Sequence, residues 1–291
     1  MVEASRKGEA KKISVVCAHD EEVLLSLNHA VKEGIVNPIL VGKKKEIEAL
    51  ISKLKLDHFT AEIIDCDNDE KCAEIAVKQV NSGQSQLLMK GLIATSTFLK
   101  AVLNKEWGLR LGGLLSHVTV FEVEGYDHLF LLSDVAMNIA PDLNQKKMII
   151  ENAVAIGHKL GIEKPKVAPL CAVEVVNPDM PATIDAAILS KMAERGQIKG
   201  CLIDGPLALD NAVSVEAAKH KKITSPVAGN ADILLAPNIE SGNVLYKALG
   251  FFTSAKIAAV ITGAKAPIVL TSRADTDETK FNSIALACVL S

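Results

Sequence analysis

Aromatic side chains make up only 3% of this 291-residue chain, too few for the stacking platforms that hold nucleic-acid bases. No apolar run approaches the ~20 residues needed to span a bilayer. The first residues, MVEASRKGEAKK, read as a polar extension without the apolar segment of a signal peptide. A formal net charge of −3 and a pI near 6.2 provide no general basic surface for nucleic acid or lipid headgroups. The expectation is a cytoplasmic protein with neither a nucleic-acid nor a membrane partner.

Other absences narrow the chemistry. The six cysteines contain no CxxC pair, and Cys17, Cys171, Cys201 and Cys288 sit in apolar runs, as buried free thiols do in a reducing compartment. The seven histidines form no HExxH or similar ligand set, so no protein-only metal site is expected. No glycine-rich dinucleotide fingerprint or Walker loop occurs, which removes two common enzyme readings of an α/β chain.

What is present is a chain 49% hydrophobic, long enough for one large or two modest domains. Short β-rich runs alternate with amphipathic ones. KISVVCA (12–18), NPILVG (37–42), AEIIDC (61–66) and SQLLMKG (85–91) read as strands. Helices are expected over 21–34, 44–56, 67–83 and 95–109. Strands separated by such helices imply βαβ units and mostly parallel sheets, an α/β fold. After Arg110 the character changes. Two apolar runs joined by EGYD within 114–141 suggest an antiparallel hairpin around Gly125. Alternation then resumes, with helices expected over 144–161, 183–196, 240–255 and 277–291. Two α/β domains follow, a discontinuous first one over 1–127 with 257–291 and a second over 128–256.

Polar residues where parallel strands end line the usual ligand crevice. Five stretches have that location: MKGLIATST (89–97), SDVAMNIAPD (133–142), DGPLALDNA (204–212), APNIESGNVLYK (236–247) and TSRADTDE (271–278). Arg273 follows the apolar run APIVL, and its planar donor fork suits phosphate or carboxylate. An internal salt bridge to Asp275, Asp277 or Glu278, near the next helix start, is the structural alternative. Thr95, Ser96 and Thr97 open a helix whose free N–H groups can hold an anion, with Lys100 one turn in. Their alternative role is ordinary capping, with Lys100 facing water. Residue chemistry alone stops at an anion-binding α/β enzyme.

Taken together and in order, LLSHVTVFE, LFLLSDVAMNIAPDL, DGPLALDNA, LLAPNIESGNVLYKAL and APIVLTSRAD resemble the phosphate acetyl/butyryl transferase family. The resemblance runs from about residue 12 to 291 and is stronger to the butyryl branch. It implies reversible conversion of an acyl-CoA and inorganic phosphate to an acyl phosphate and CoA, with no permanently bound cofactor and no metal. It also implies a two-domain fold like that of the isocitrate and isopropylmalate dehydrogenases, with an interdomain cleft. Homodimers or assemblies of dimers are expected, with the second domain as the dimerisation domain. Ser272 matches the family's serine, assigned to the CoA sulfur, and Arg273 its arginine, assigned to phosphate and the acyl carbonyl. Gly91, Asn138, Asp204, Gly205, Pro206, Asn238, Ser241, Gly242, Asn243 and Phe251 are expected along the CoA or acyl cleft. Lys100 stands where the acetyl branch has a phosphate-binding arginine. Thr279 stands where that branch has an aspartate proposed as the base, and another arginine of that branch aligns near Phe251 and Phe252.

Loss of arginine near apolar side chains favours an acyl group longer than acetyl. Direct transfer in a ternary complex is the simplest expected mechanism, with Asp275, Asp277 and Glu278 as fallback bases or helix caps. Two rivals remain on a related scaffold: a metal-dependent hydroxyacid dehydrogenase and a phosphate acetyltransferase. The former needs clustered aspartates, and Asp134, Asp204 and Asp232 are dispersed. A third rival is a non-catalytic CoA-binding regulatory protein.

Overall fold

The computed structural model describes residues 1–272 and 275–291, which form two compact units, 1–113 with 258–291 and 114–257. Arg273 therefore lies outside the described residues.

In the first unit, α1 (Val2–Ser5) precedes β1 (Lys11–Val16), α2 (Glu21–Lys32), β2 (Val36–Gly42), α3 (Lys44–Lys53) and β3 (Glu62–Asp65). Then follow α4 (Asp69–Asn81), β4 (Leu87–Lys90) and α5 (Thr95–Val102). The amino-terminal stretch, expected as a plain polar extension, thus carries one short helix, which lies against the carboxyl-terminal helix. Helix α5 stops at Val102, short of the expected 109, because Asn104 ends it: its side chain accepts from Glu106 N at 2.9 Å and Trp107 N at 3.1 Å. Those bonds offer the backbone an alternative to the next helical turn.

The second unit holds β5 (Ser116–Glu122), β6 (Phe130–Ser133), α6 (Leu143–Lys159), β7 (Lys166–Pro169) and α7 (Pro181–Glu194). It continues with β8 (Leu202–Ile203), α8 (Leu209–Val213), α9 (Val215–His220), β9 (Ile233–Leu235) and α10 (Ile239–Phe252). The chain closes with β10 (Lys256–Thr262), β11 (Ile268–Val269) and α11 (Asp277–Leu290).

Strand order in the first unit is β3-β2-β1-β4-β11-β10, parallel except for β10 against β11. In the second it is β5-β6-β9-β7-β8, parallel except for the β5–β6 hairpin. Strands β1 and β4 are near-continuous apolar runs because helices cover both faces of such sheets. The hydrophobic cores follow, with Val15, Leu40, Leu88, Val260 and Ile284 buried in the first unit. Phe121, Leu132, Ala168 and Leu234 fill the second.

Candidate active site

The five polar stretches all begin where a parallel strand ends, at β4, β6, β8, β9 and β11. Each unit presents its own set.

In the first unit, β4 and β11 are parallel neighbours, with Val269 opposite Met89. Gly91 and Ser272 therefore leave the sheet from adjacent carboxyl ends. Gly91 is fixed by close approach. Its N–H donates to Val16 O at 2.8 Å, and a Cβ there would lie 2.4 Å from Cys17 O. The chain then enters α5 through Ala94, which gives no side-chain cap. Thr95 and Ser96 are exposed, so the first N–H groups of α5 have no capping hydroxyl. Lys100 faces elsewhere. It lines a groove of about 380 Å³ between α4 and α5 with Glu70, Glu74, Asn104 and Trp107. Two carboxylates make that groove a poor phosphate site, so the structure does not bring Lys100 together with Thr95 and Ser96.

After β11, Ser272 is exposed at the start of a turn. Its N–H donates to Asp275 Oδ2 at 2.6 Å, and Asp275 N–H returns to Ser272 O at 3.2 Å. Asp275 is thus engaged in shaping the turn, although its position in the sequence also admits a base. Thr276 caps α11, accepting from Thr279 N at 3.2 Å, with Asp277 and Glu278 in the first turn where carboxylates suit the dipole. Thr279 O accepts from Ser283 Oγ at 2.7 Å, an arrangement internal to the helix.

Two cations here carry no mark in the sequence pattern. Lys90, at the end of β4, is only 7% exposed, and its Nζ donates to Gly91 O at 3.2 Å. Lys280, in α11, is 4% exposed, and its Nζ donates to Asp275 O. Their only signal was a lysine beside an apolar run.

In the second unit, Asp134 follows β6 and is buried. It accepts from Ala136 N at 2.9 Å, Met137 N at 3.0 Å and Asn138 Nδ2 at 2.5 Å. Asn138 also donates to Leu115 O at 2.9 Å, so both its amide hydrogens organise the loop. Gly242 packs on that loop: a Cβ would stand 2.3 Å from Asp134 O. Asn243 Nδ2 donates to Val135 O at 3.1 Å. Asn238 caps α10, accepting from Ser241 N at 3.0 Å and Ser241 Oγ at 2.6 Å. Asp204, Gly205 and Pro206 follow β8, with Asp204 N–H on Val167 O at 3.2 Å and Ser190 Oγ donating to Gly205 O at 3.3 Å.

A cavity of about 820 Å³ opens at the ends of β7 and β9, lined by Leu170, Cys171, Met180, Ala236, Val244 and Leu245 with Asn238 and Ser241 at its polar side. Phe251 is not among its walls. It stands 74% exposed near the end of α10, about 18 Å along the axis from the helix start at 1.5 Å per residue. The structure therefore brings Asn238 and Ser241 to the apolar cavity and leaves Phe251 apart from them.

Thiol chemistry finds little purchase. Burial, and then Asp69, push the Cys17 thiol up to about 12, and burial pushes Cys171, at the cavity wall, up to about 11. Both stay protonated at neutral pH, which weakens them as nucleophiles. Among the described residues no group of three or more His, Cys, Asp or Glu side chains is placed to hold a metal ion. Asp232, one of the dispersed aspartates, accepts from Lys166 N at 2.8 Å.

Comparison with known proteins adds an independent line. The model of the phosphate acetyl/butaryl transferase family (butyryl in the usual spelling) matches residues 1–80 and 71–288. The phosphate butyryltransferase of Clostridium acetobutylicum is 54% identical over 282 residues, 97% of this chain and 94% of that protein. The phosphate acetyltransferase of Thermotoga maritima is 48% identical over 289 residues, 99% and 98% of the two chains. Among solved structures, a branched-chain phosphotransacylase from Enterococcus faecalis V583 superposes with a TM-score of 0.86 at 37% identity, covering 96% of this chain and 98% of that one.

Proposed function

The chain belongs to the phosphate acetyl/butyryl transferase family, and we propose that it transfers a short acyl group, butyryl preferred, reversibly between CoA and inorganic phosphate. The observation that carries this reading is the Ser272 turn, exposed at the end of β11 beside the end of β4.

In the acyl-phosphate direction, a phosphate oxygen attacks the thioester carbonyl. The C–O bond forms, negative charge collects on the carbonyl oxygen, and the C–S bond then breaks to release the CoA thiolate. Arg273, assigned by the family pattern, neutralises phosphate and stabilises the developing oxyanion, where a preorganised cation contributes most. The hydroxyl of Ser272 hydrogen-bonds the sulfur as it gains charge. Exposed N–H groups at the start of α5 give phosphate a second anchor. In reverse, the positive site favours ionisation of the CoA thiol, whose ordinary pKa is near 8.5, with the proton passing to solvent; the thiolate forms the C–S bond and the C–O bond breaks to release inorganic phosphate.

The resemblance to butyryltransferases supports the acyl preference, and each methylene buried adds about 0.8 kcal/mol. That increment separates butyryl from acetyl by tens-fold only. The Thermotoga maritima acetyltransferase, nearly as similar as the butyryl enzyme, makes acetyl transfer the second reading.

The two-domain architecture is, on this reading, that of the isocitrate and isopropylmalate dehydrogenases, used without nucleotide or metal. Two chains associate through the second unit, where Ile184, Ile188, Phe251 and Phe252 are exposed.

A thiol-release assay with acetyl-, butyryl- and isobutyryl-CoA and phosphate tests the function. We expect turnover unaffected by chelator, with kcat/KM highest for a four-carbon acyl group. Preference for acetyl-CoA selects the second reading. Binding of CoA without turnover selects a regulatory role, and restoration of lost activity by a divalent ion ends the proposal.

A further inference from the structure

Lysine is an unexpected residue at position 280. It lies one turn into α11, near the positive end of the helix dipole, where a cation is disfavoured. Its side chain is nevertheless packed into the interior at 4% exposure, where an ammonium costs several kcal/mol to desolvate unless it is well bonded. If the place needed only filling, an apolar side chain would do so at no desolvation cost. The ammonium reaches back across the helix start to the Asp275 carbonyl. The carboxylate of the same Asp275 accepts the Ser272 N–H at 2.6 Å.

We propose that Lys280 is a positioning residue for the acyl transfer, acting on Ser272 through Asp275. The proposal rests on the transferase reading of the Ser272 turn. Lys280 fixes the main chain of Asp275, Asp275 fixes the amide of Ser272, and the direction of the Ser272 hydroxyl follows. Helix α11 anchors the relay from behind. Phe281, Ile284 and Ala285 are buried, and Ser283 Oγ accepts from Ala259 N at 2.9 Å. The exposed turn is thereby referenced to the sheet interior. The buried ammonium also adds positive charge at the exit of β11, the side on which an acyl phosphate would bind. A misplacement of about 1 Å in such a group costs on the order of 10²-fold in rate.

The test is a double-mutant cycle in the full chain with an exchange measurement beside it. Lys280→Met should lower kcat with butyryl-CoA and phosphate by about 10²-fold, while KM for either substrate moves less than about three-fold. Lys280→Arg, which keeps donor and charge, should recover most of the rate. In a Ser272→Ala background the same Lys280→Met change should cost less than about three-fold, because the residue it positions is gone. Equal losses in both backgrounds, or a folded Lys280→Met enzyme with normal kcat, overturn the proposal. Amide hydrogen exchange at Ser272 requires no activity. It should quicken at least about ten-fold in Lys280→Met, and unchanged exchange refutes the relay even if the wild-type chain turns over nothing. That second arm separates failure of this inference from failure of the transferase reading. Should Lys280→Met not fold, Asp275→Ala removes the acceptor of the Ser272 N–H at a half-buried position. It must then give the same loss of kcat and the same faster exchange, or the relay is refuted.

Discussion

At the scale of single residues, the polar stretch after β11 divides its labour. Asp275 shapes the turn, Thr276 caps α11, and Thr279 takes part in the cap, which leaves Ser272 as its exposed hydroxyl at the strand end. Arg273 carries the sharpest prediction, motivated by its adjacency to Ser272 and the family pattern. Arg273→Lys keeps the charge but loses the bidentate fork. We expect kcat/KM to fall about 10²-fold or more, roughly 2.7 kcal/mol, with the melting temperature unchanged. A destabilised enzyme of near-normal kcat/KM would identify the arginine as structural. Lys100→Ala serves as the contrast. Its side chain lies with Glu70 and Glu74, so its loss should leave kcat/KM within about three-fold. The sequence marks a polar stretch where an apolar run ends, and the structure places its Ser272 exposed beyond β11; the roles of Ser272 and Arg273 come from the family resemblance. The two buried lysines were not legible, since DETKFNS and LLMKG give no local sign that a lysine turns inward.

At the scale of elements, long periodic segments were readable and short helices were not. Helices α2, α4 and α10 begin within two residues of the positions that periodicity assigns, because Asp20, Asn68 and Asn238 supply side-chain caps. Helices α8 and α9 are too short to show a period, whereas the two-residue strands β8 and β11 lie inside the apolar runs that precede the polar stretches at 204 and 271. Glycines at the element junctions are the testable part. Gly242 sits inside α10, where propensity alone would prefer alanine. Its missing Cβ is what lets the helix lie on Asp134 O, an approach of 2.3 Å for any added carbon. Gly242→Ala is therefore expected to destabilise the chain by several kcal/mol, whereas helix propensity alone predicts a gain near 1 kcal/mol. Chemical denaturation of the purified variant gives the sign, and a more stable Gly242→Ala would mean that α10 does not pack as described.

At the scale of the whole molecule, each unit is a mostly parallel sheet with polar loops at the carboxyl ends of its parallel strands, and that arrangement was foreseeable from alternation. Association between chains is a different matter, because an exposed apolar side chain and a buried one look alike in sequence. The second unit exposes Ile184 and Ile188, one turn apart on α7, and Phe251 and Phe252 at the end of α10, the last two at 74% and 88%. None of the four lines the apolar cavity of that unit. Where such apolar side chains form a contiguous patch they mark a protein–protein surface, and these four are the residues through which that proposal is tested. Light scattering at micromolar concentration should accordingly give a mass of twice 31.0 kDa or an even multiple. Phe251→Asp with Phe252→Asp would place two charges in a face that must desolvate on association. That double variant should shift the chain to monomer while circular dichroism remains unchanged. Ile188→Asp, on the other helix, should weaken the same assembly, since both helices are expected to contribute. A wild-type protein that stays monomeric across concentrations, or a double variant with undiminished mass, would remove the second unit from its assigned role in dimerisation.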